Sequence, residues 1–207
     1  AVRGNFDDAQ TGVKRVFGDK EIAAQLAQRN IRLSSANSIN WGRLVPQIVY
    51  YFAAYAQLCK AGKIAFGEKV DFCVPTGNFG DILAGYYAKQ MGLPVGKLVC
   101  ASNENNVLTD FLTTGTYTAK REFFKTTSPS MDILVSSNLE RLLFHVTGSD
   151  TEVAALMKSL SETGRYSVRP ETLAKIQESF ACGWSSEAQV AGEIRARFEQ
   201  DNYLCDT

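Results

Sequence analysis

The residues best placed to do chemistry lie in "VPTGNFGDILAGYYAKQMGLPV", residues 74–95. Thr76, Gly77, Asn78, Phe79 and Gly80 follow a short β-branched run and lead straight into a helical pattern. A loop of that kind gathers backbone N–H groups at a helix N-terminus, where the helix dipole adds positive potential. The chemistry that suits it is anion binding, above all of a phosphate. Gly77 and Gly80 let the backbone approach a ligand and adopt positive φ where needed, and Thr76 and Asn78 add side-chain hydrogen bonds. Neither GxGxxG nor GxxxxGK[ST] is present, which disfavours NAD and ATP. The spacing alone fits a tight βα turn, whose glycines serve only the geometry, equally well. The triplet Gly-Asn-Phe also occurs at Gly4–Phe6, but the identity extends no further and reads as coincidence.

A second candidate group is Asn37, Ser38 and Asn40 in "SANSINWGRLVP". These residue types cap helices, and a helical pattern follows them, so capping stands beside a role in ligand binding. The five cysteines are scattered and never form CxxC, which argues against zinc or a redox dithiol and for small buried side chains in a reducing compartment. His145, the one histidine, sits in the apolar run "LERLLFHV" and reads as packed or surface rather than as a catalytic base.

Several elements must position these residues. "DDAQTGVKRVF" and "DKEIAAQLAQ" read as short helices, the second capped by Asp19. "QIVYYFAAYAQLCKAG" carries Ile48, Tyr51, Phe52, Tyr55 and Leu58 at helical spacing, closed by Gly62, and Pro46 marks its start or a kink. "KVDFCV" reads as a buried strand, residues 80–91 as a helix and "GKLVCAS" as a second strand, together a right-handed parallel βαβ unit. "ENNVLTDFLTTG" suggests a short helix and "TYTAKREFFKTTSPSMD" a loop. From about residue 136 the pattern is nearly all helix, with Ser137 or Asn138, Asp150, Pro170 and Ser185 or Ser186 near the starts. The expectation is an α/β fold: a three-layer, open, mostly parallel sheet with flanking helices and a helix-rich C-terminal part.

The composition is that of an ordinary globular chain, 45% hydrophobic, with 22 basic groups balancing 22 acidic ones. A net charge of zero gives no electrostatic reason to expect nucleic acid or a membrane surface as partner. The most apolar segment, "LVPQIVYYFAAYAQLC", is too interrupted for a membrane span.

The glycine loop and its flanks resemble the phosphate loop of threonine synthase, a pyridoxal 5'-phosphate (PLP) enzyme of the tryptophan-synthase-β fold type. "SANSINWGRLVPQIVYYF", "ASNENNVLTDFLTTGTY" and "SPSMDILVSSNLERLLF" resemble further segments of that family in the same order, and "GNFDDAQ" a degenerate one ahead of them. These stretches cover most of residues 4–146; the last sixty residues fit more loosely. The resemblance implies conversion of O-phosphohomoserine and water to threonine and phosphate in the cytoplasm. Thr76, Gly77, Asn78, Phe79 and Gly80 would then hold the cofactor phosphate, Asp81 would stabilise the helix start, and Asn37, Ser38 and Asn40 would lie toward the substrate. The family's Schiff-base lysine lies upstream of the matching segments. Lys14, Lys20, Lys60, Lys63, Lys69 and Lys89 read as exposed helix or helix-end residues without its setting, so no catalytic residue is assigned within the chain. Ala1 and Thr207 look like cut ends. The expectation is that residues 1–207 are one partial domain of a larger enzyme, with a cofactor-binding part (1–135) and a mostly helical part (136–207). The alternative is a non-catalytic phospho-ligand-binding domain of the same fold.

Overall fold

The computed structural model describes residues 3, 6–34 and 37–206. The βαβ unit forms where the sequence patterns place it. Strand β1 (Val70–Pro75) leads through the glycine loop into helix α4 (Gly80–Gln90), and strand β2 (Val95–Ser102) runs parallel to β1, with Cys73 opposite Val99 and Val74 opposite Cys100. A third parallel strand, β5 (Phe180–Trp184), pairs with the other edge of β2, giving the order β1-β2-β5. Being central, β2 buries Leu98 and Cys100 fully. β1 is an edge strand, so it does not have the continuous burial that its apolar run predicts. Phe72 and Val74 turn inward while Asp71, Cys73 and Pro75 stay exposed.

Strand β5 was hidden in the sequence. Helix α8 (Pro170–Ser179) passes into it at Phe180 with no intervening turn residue, so "RPETLAKIQESFACG" reads as one helix. The stretch from 136 onward is thus mostly helical yet supplies a strand to the main sheet. A small antiparallel pair was also missed: β3 (Thr116–Thr118) with β4 (Arg165–Ser167), each of three residues and too short to show a period. It is held by Tyr117 stacked on Tyr166, with ring centroids 5.2 Å apart.

Helices α1 (Phe6–Gly18) and α2 (Lys20–Ala27) match the expected pair, and the Asp19 side chain accepts from the amides of Glu21 and Ile22. Gly4 and Asn5 of the second Gly-Asn-Phe copy lie outside the described residues. Helix α3 (Trp41–Lys60) starts one turn earlier than Pro46 suggests, because Asn40 caps it through Gly42 N–H at 2.8 Å. Its buried stripe, Leu44, Tyr51 and Tyr55, packs on α4. The two helices meet at Gly85, where a Cβ would stand 2.6 Å from the Tyr51 ring and 2.9 Å from Leu98. The remaining helices, α5 (Val107–Thr114), α6 (Leu139–Thr147), α7 (Asp150–Thr163) and α9 (Glu187–Asp201), agree with the sequence patterns. Ser149 and Ser186 cap the last two, the latter through a capping box with Gln189. Among the described residues no helix is long and apolar enough to cross a membrane.

Residues 119–135 pass over the carboxyl end of the sheet, pinned by a buried polar network. Asp132, 8% exposed, accepts from Asn103 Nδ2 (2.8 Å), Asn105 Nδ2 (3.0 Å), Thr126 Oγ1 (2.7 Å) and Thr126 N–H (2.9 Å). Those bonds replace the water that its carboxylate loses on burial. They also set Ser130 and Ile133 beside the glycine loop.

Candidate anion site

The glycine loop leaves the end of β1 and opens α4. Thr76 is buried, its N–H donating to Ala101 O (2.8 Å) and its hydroxyl to Val74 O (2.6 Å), so it extends the β1–β2 ladder by one residue. The carbonyls of the next two residues point into the protein. Gly77 O accepts from Ser136 Oγ (2.8 Å), and Asn78 O accepts from the backbone N–H (3.1 Å) and Nδ2 (3.0 Å) of Asn138. In a trans peptide the C=O and the following N–H point in opposite directions, so the N–H groups of Asn78 and Phe79 face away from these anchors. The N-cap residue of α4, Phe79, makes no side-chain capping bond, and the first-turn amides have no acceptor within the helix.

The positive φ in the loop falls on Phe79 (φ 59°, ψ 14°), not on a glycine. Neither glycine is needed for its dihedrals, and a Cβ at either position would meet its protein neighbours only at ordinary contact distances. A Cβ on Gly77 would lie 3.4 Å from Ile133 and from Ser130 O. One on Gly80 would approach Asn138 Nδ2 at 3.5 Å, Gln47 Oε1 at 3.7 Å and Ser38 O at 3.9 Å. A left-handed non-glycine residue costs about 1–2 kcal/mol and persists only where surroundings hold it. Phe79 is 1% exposed, its ring 5.4 Å from that of Phe180. The hidden strand β5 thus holds the strained residue in place.

The loop lines a cavity of about 370 Å³ that includes Thr76, Gly77, Asn78, Phe79 and Gly80 together with Ser38, Arg43, Gln47 and Ser130. Of the second candidate group, Ser38 reaches this cavity. Asn37 and Asn40 use their side-chain oxygens locally, toward the N–H groups of Ile39 (3.1 Å) and Gly42 (2.8 Å). Sequence reasoning missed Arg43 and Gln47. Their signal was the four-residue spacing on a helix whose cap, Asn40, was already singled out. Among the described residues lining the cavity, Arg43 is the cation and there is no lysine. Lys89, expected to be exposed, is partly buried and donates to Gly96 O at 2.7 Å.

Asp81 supplies the local negative charge. Burial pushes its carboxyl above the usual range, with the nearby Tyr51 phenol a smaller opposing influence; the 2.9 Å bond of the Tyr51 hydroxyl goes to the backbone carbonyl of Asp81. Its Oδ1 is buried without a protein partner.

Two other concavities suit an anion less well. A cleft of about 420 Å³ is lined by Glu104 and Glu122, with its Arg121 already paired to Asp110. A wider apolar groove of about 620 Å³ contains Trp41, Phe144 and Met157. There His145 is exposed and shares a 2.9 Å hydrogen bond with the Tyr87 hydroxyl.

No protein-family model matches the chain. Threonine synthase-like 1 of Homo sapiens is 44% identical over 208 residues, covering 99% of this chain and 28% of the relative. Threonine synthase of Schizosaccharomyces pombe is 39% identical over 226 residues, covering 99% of this chain and 42% of the relative. Among solved structures, PLP-bound threonine synthase from Brucella melitensis superposes with a TM-score of 0.86 at 44% identity, over 100% of this chain and 42% of that one. The chain therefore spans less than half the length of these relatives. The resemblance carried by its motifs extends to the last sixty residues as well, and the α/β fold is shared.

Proposed function

We propose that this chain holds the cofactor phosphate in a PLP-dependent threonine synthase, with Gly77, Asn78, Phe79 and Gly80 as the cradle and Thr76, whose N–H and hydroxyl are both engaged within the β1–β2 ladder, lining the cavity beside them. The observation that carries the proposal is the pinning of the Gly77 and Asn78 carbonyls by Ser136 and Asn138, which turns the following N–H groups away from the protein at an uncapped helix start. A phosphate dianion fits such a donor set: backbone amides and the dipole of α4 bind it, and Arg43 on the cavity wall adds positive charge. When bound, PLP supplies an electron sink for a carbanion. The residues of this chain would hold the phosphate end of the cofactor. Phe79, packed on Phe180, keeps water from the loop's inner side.

For the whole protein the proposed reaction turns O-phosphohomoserine and water into threonine and phosphate. Ser38, flanked by Asn37 and Asn40, lies toward the substrate, and the Schiff-base lysine belongs to a segment upstream. The cytoplasm is the proposed compartment, since all five cysteines are free thiols. By itself the chain binds cofactor weakly and releases no phosphate from O-phosphohomoserine, because it lacks the covalent anchor.

The test is a fluorescence titration of the 207-residue chain with pyridoxine 5'-phosphate, which carries the phosphate but no aldehyde to react with lysines. Saturable binding at roughly millimolar concentration, competed by sulfate and lost in Gly80→Val, is expected. Binding that Gly80→Val leaves untouched would overturn the proposal.

A further inference from the structure

Asn138 does something that the loop motif does not explain. It is the N-cap residue of α6, where an asparagine side chain ordinarily accepts from the helix's own amides, yet it makes no such bond. Instead its side chain, 0% exposed, reaches across the fold. Nδ2 donates to Asn78 O (3.0 Å) and to Ser38 O (3.1 Å), residues 60 and 100 positions away, while the backbone N–H donates to the same Asn78 O (3.1 Å). Oδ1 is buried with no protein partner. Chemistry fixes the orientation of the amide, since turning it over would set Oδ1 against two carbonyl oxygens.

We propose that Asn138 is the positioning residue of the anion cradle. Two donors from one residue hold the Asn78 carbonyl against α6, so the N–H of the same peptide unit, that of Phe79, stays aimed at the anion. The bond to Ser38 O fixes the Ser/Asn segment at the same point, so one side chain sets the spacing between the cofactor end and the substrate end of the cavity. Gly80 lies beside this contact, its Cβ position 3.5 Å from Asn138 Nδ2. The inference rests on the cradle reading for its meaning, but the clamp itself can be tested without a ligand.

The experiment compares Asn138→Ala, and Asn138→Ser, which keeps one donor, with Leu112→Ala, a core truncation in α5. Backbone ¹⁵N order parameters of residues 37–40 and 77–80 are measured first, and a sulfate titration follows. In Asn138→Ala both segments loosen together and sulfate affinity falls about tenfold, the scale of one or two lost hydrogen bonds. Asn138→Ser falls between, and Leu112→Ala lowers stability while leaving both readouts alone. Should the Ala variant not fold, the Ser variant carries the same comparison. Unchanged order parameters overturn the proposal whatever sulfate does. Where the parent binds sulfate, so does loosening without any change in sulfate affinity. Loosening in a protein whose parent form binds no sulfate supports the clamp and removes the cradle reading instead.

Discussion

Gly85→Ala sets two effects of opposite sign against each other. Alanine is the better helix former by about 1 kcal/mol, and at an exposed site the change would stabilise α4. At Gly85 the added methyl would stand 2.6 and 2.7 Å from the Tyr51 ring and 2.9 Å from Leu98 Cδ2, distances at which something must move. Tyr51 cannot swing away freely: its hydroxyl donates to Asp81 O (2.9 Å) and its ring packs edge-on against Phe72 at 5.0 Å. Overpacking of this kind costs roughly 1–3 kcal/mol and can exceed that where the neighbour is held at both ends. The net expectation is a loss of about 2 kcal/mol, a fall in Tm of roughly 4–8 °C for a chain of this length. Urea melts of Gly85→Ala in the parent and in a Tyr51→Leu background complete the cycle. Removing the ring should make the glycine change at least 1 kcal/mol cheaper, within the range expected for residues in contact. Because the clash would lift the start of α4, sulfate affinity should fall too. A Gly85→Ala protein as stable as its parent, or one equally destabilised in both backgrounds, would refute the packing argument.

Other expectations follow from single sites. Asp81→Asn should tighten sulfate binding at neutral pH by removing a nearby negative charge. Its raised pKa means that the parent carboxyl protonates above the usual range as pH falls, so the advantage should shrink toward acid pH in a calorimetric titration. Cys100, whose thiol burial pushes up to about 12, should resist iodoacetamide at pH 8 until the protein unfolds, while exposed Cys73 is labelled, as peptide mass mapping would record. Asp132→Ala strips the acceptor from four donors and should cost about 3 kcal/mol in denaturant melts, with residues 119–135 losing hydrogen-exchange protection first.

The βαβ unit was legible because its signals are local. A β-branched run, two glycines and a helical period occupy residues 70–102, and the capping residues Asp19, Asn40 and Ser186 stand beside the patterns that they open. What stayed hidden depends on residues that meet only after folding. The period of α8 runs into β5 without a break, so the third strand of the sheet is invisible in the string. Nothing in the sequence marks Phe79 as left-handed, because Phe180, which packs on it, comes a hundred residues later. Asn138 reads as a helix cap, its commonest role, and its reach to Ser38 and Asn78 is a tertiary fact. The glycines of the loop mark it in the sequence, yet neither takes the positive φ there; Phe79 does.

Whether residues 76–80 cradle an anion is decided by a sulfate titration followed by ¹H–¹⁵N NMR. The amides of Asn78, Phe79 and Gly80 should shift together along one saturable curve in the millimolar range, and Gly80→Val should abolish the response. If those amides stay still at tens of millimolar sulfate, while resonances of Leu98 and Phe111 report a folded core, the loop is a βα turn and the claim fails.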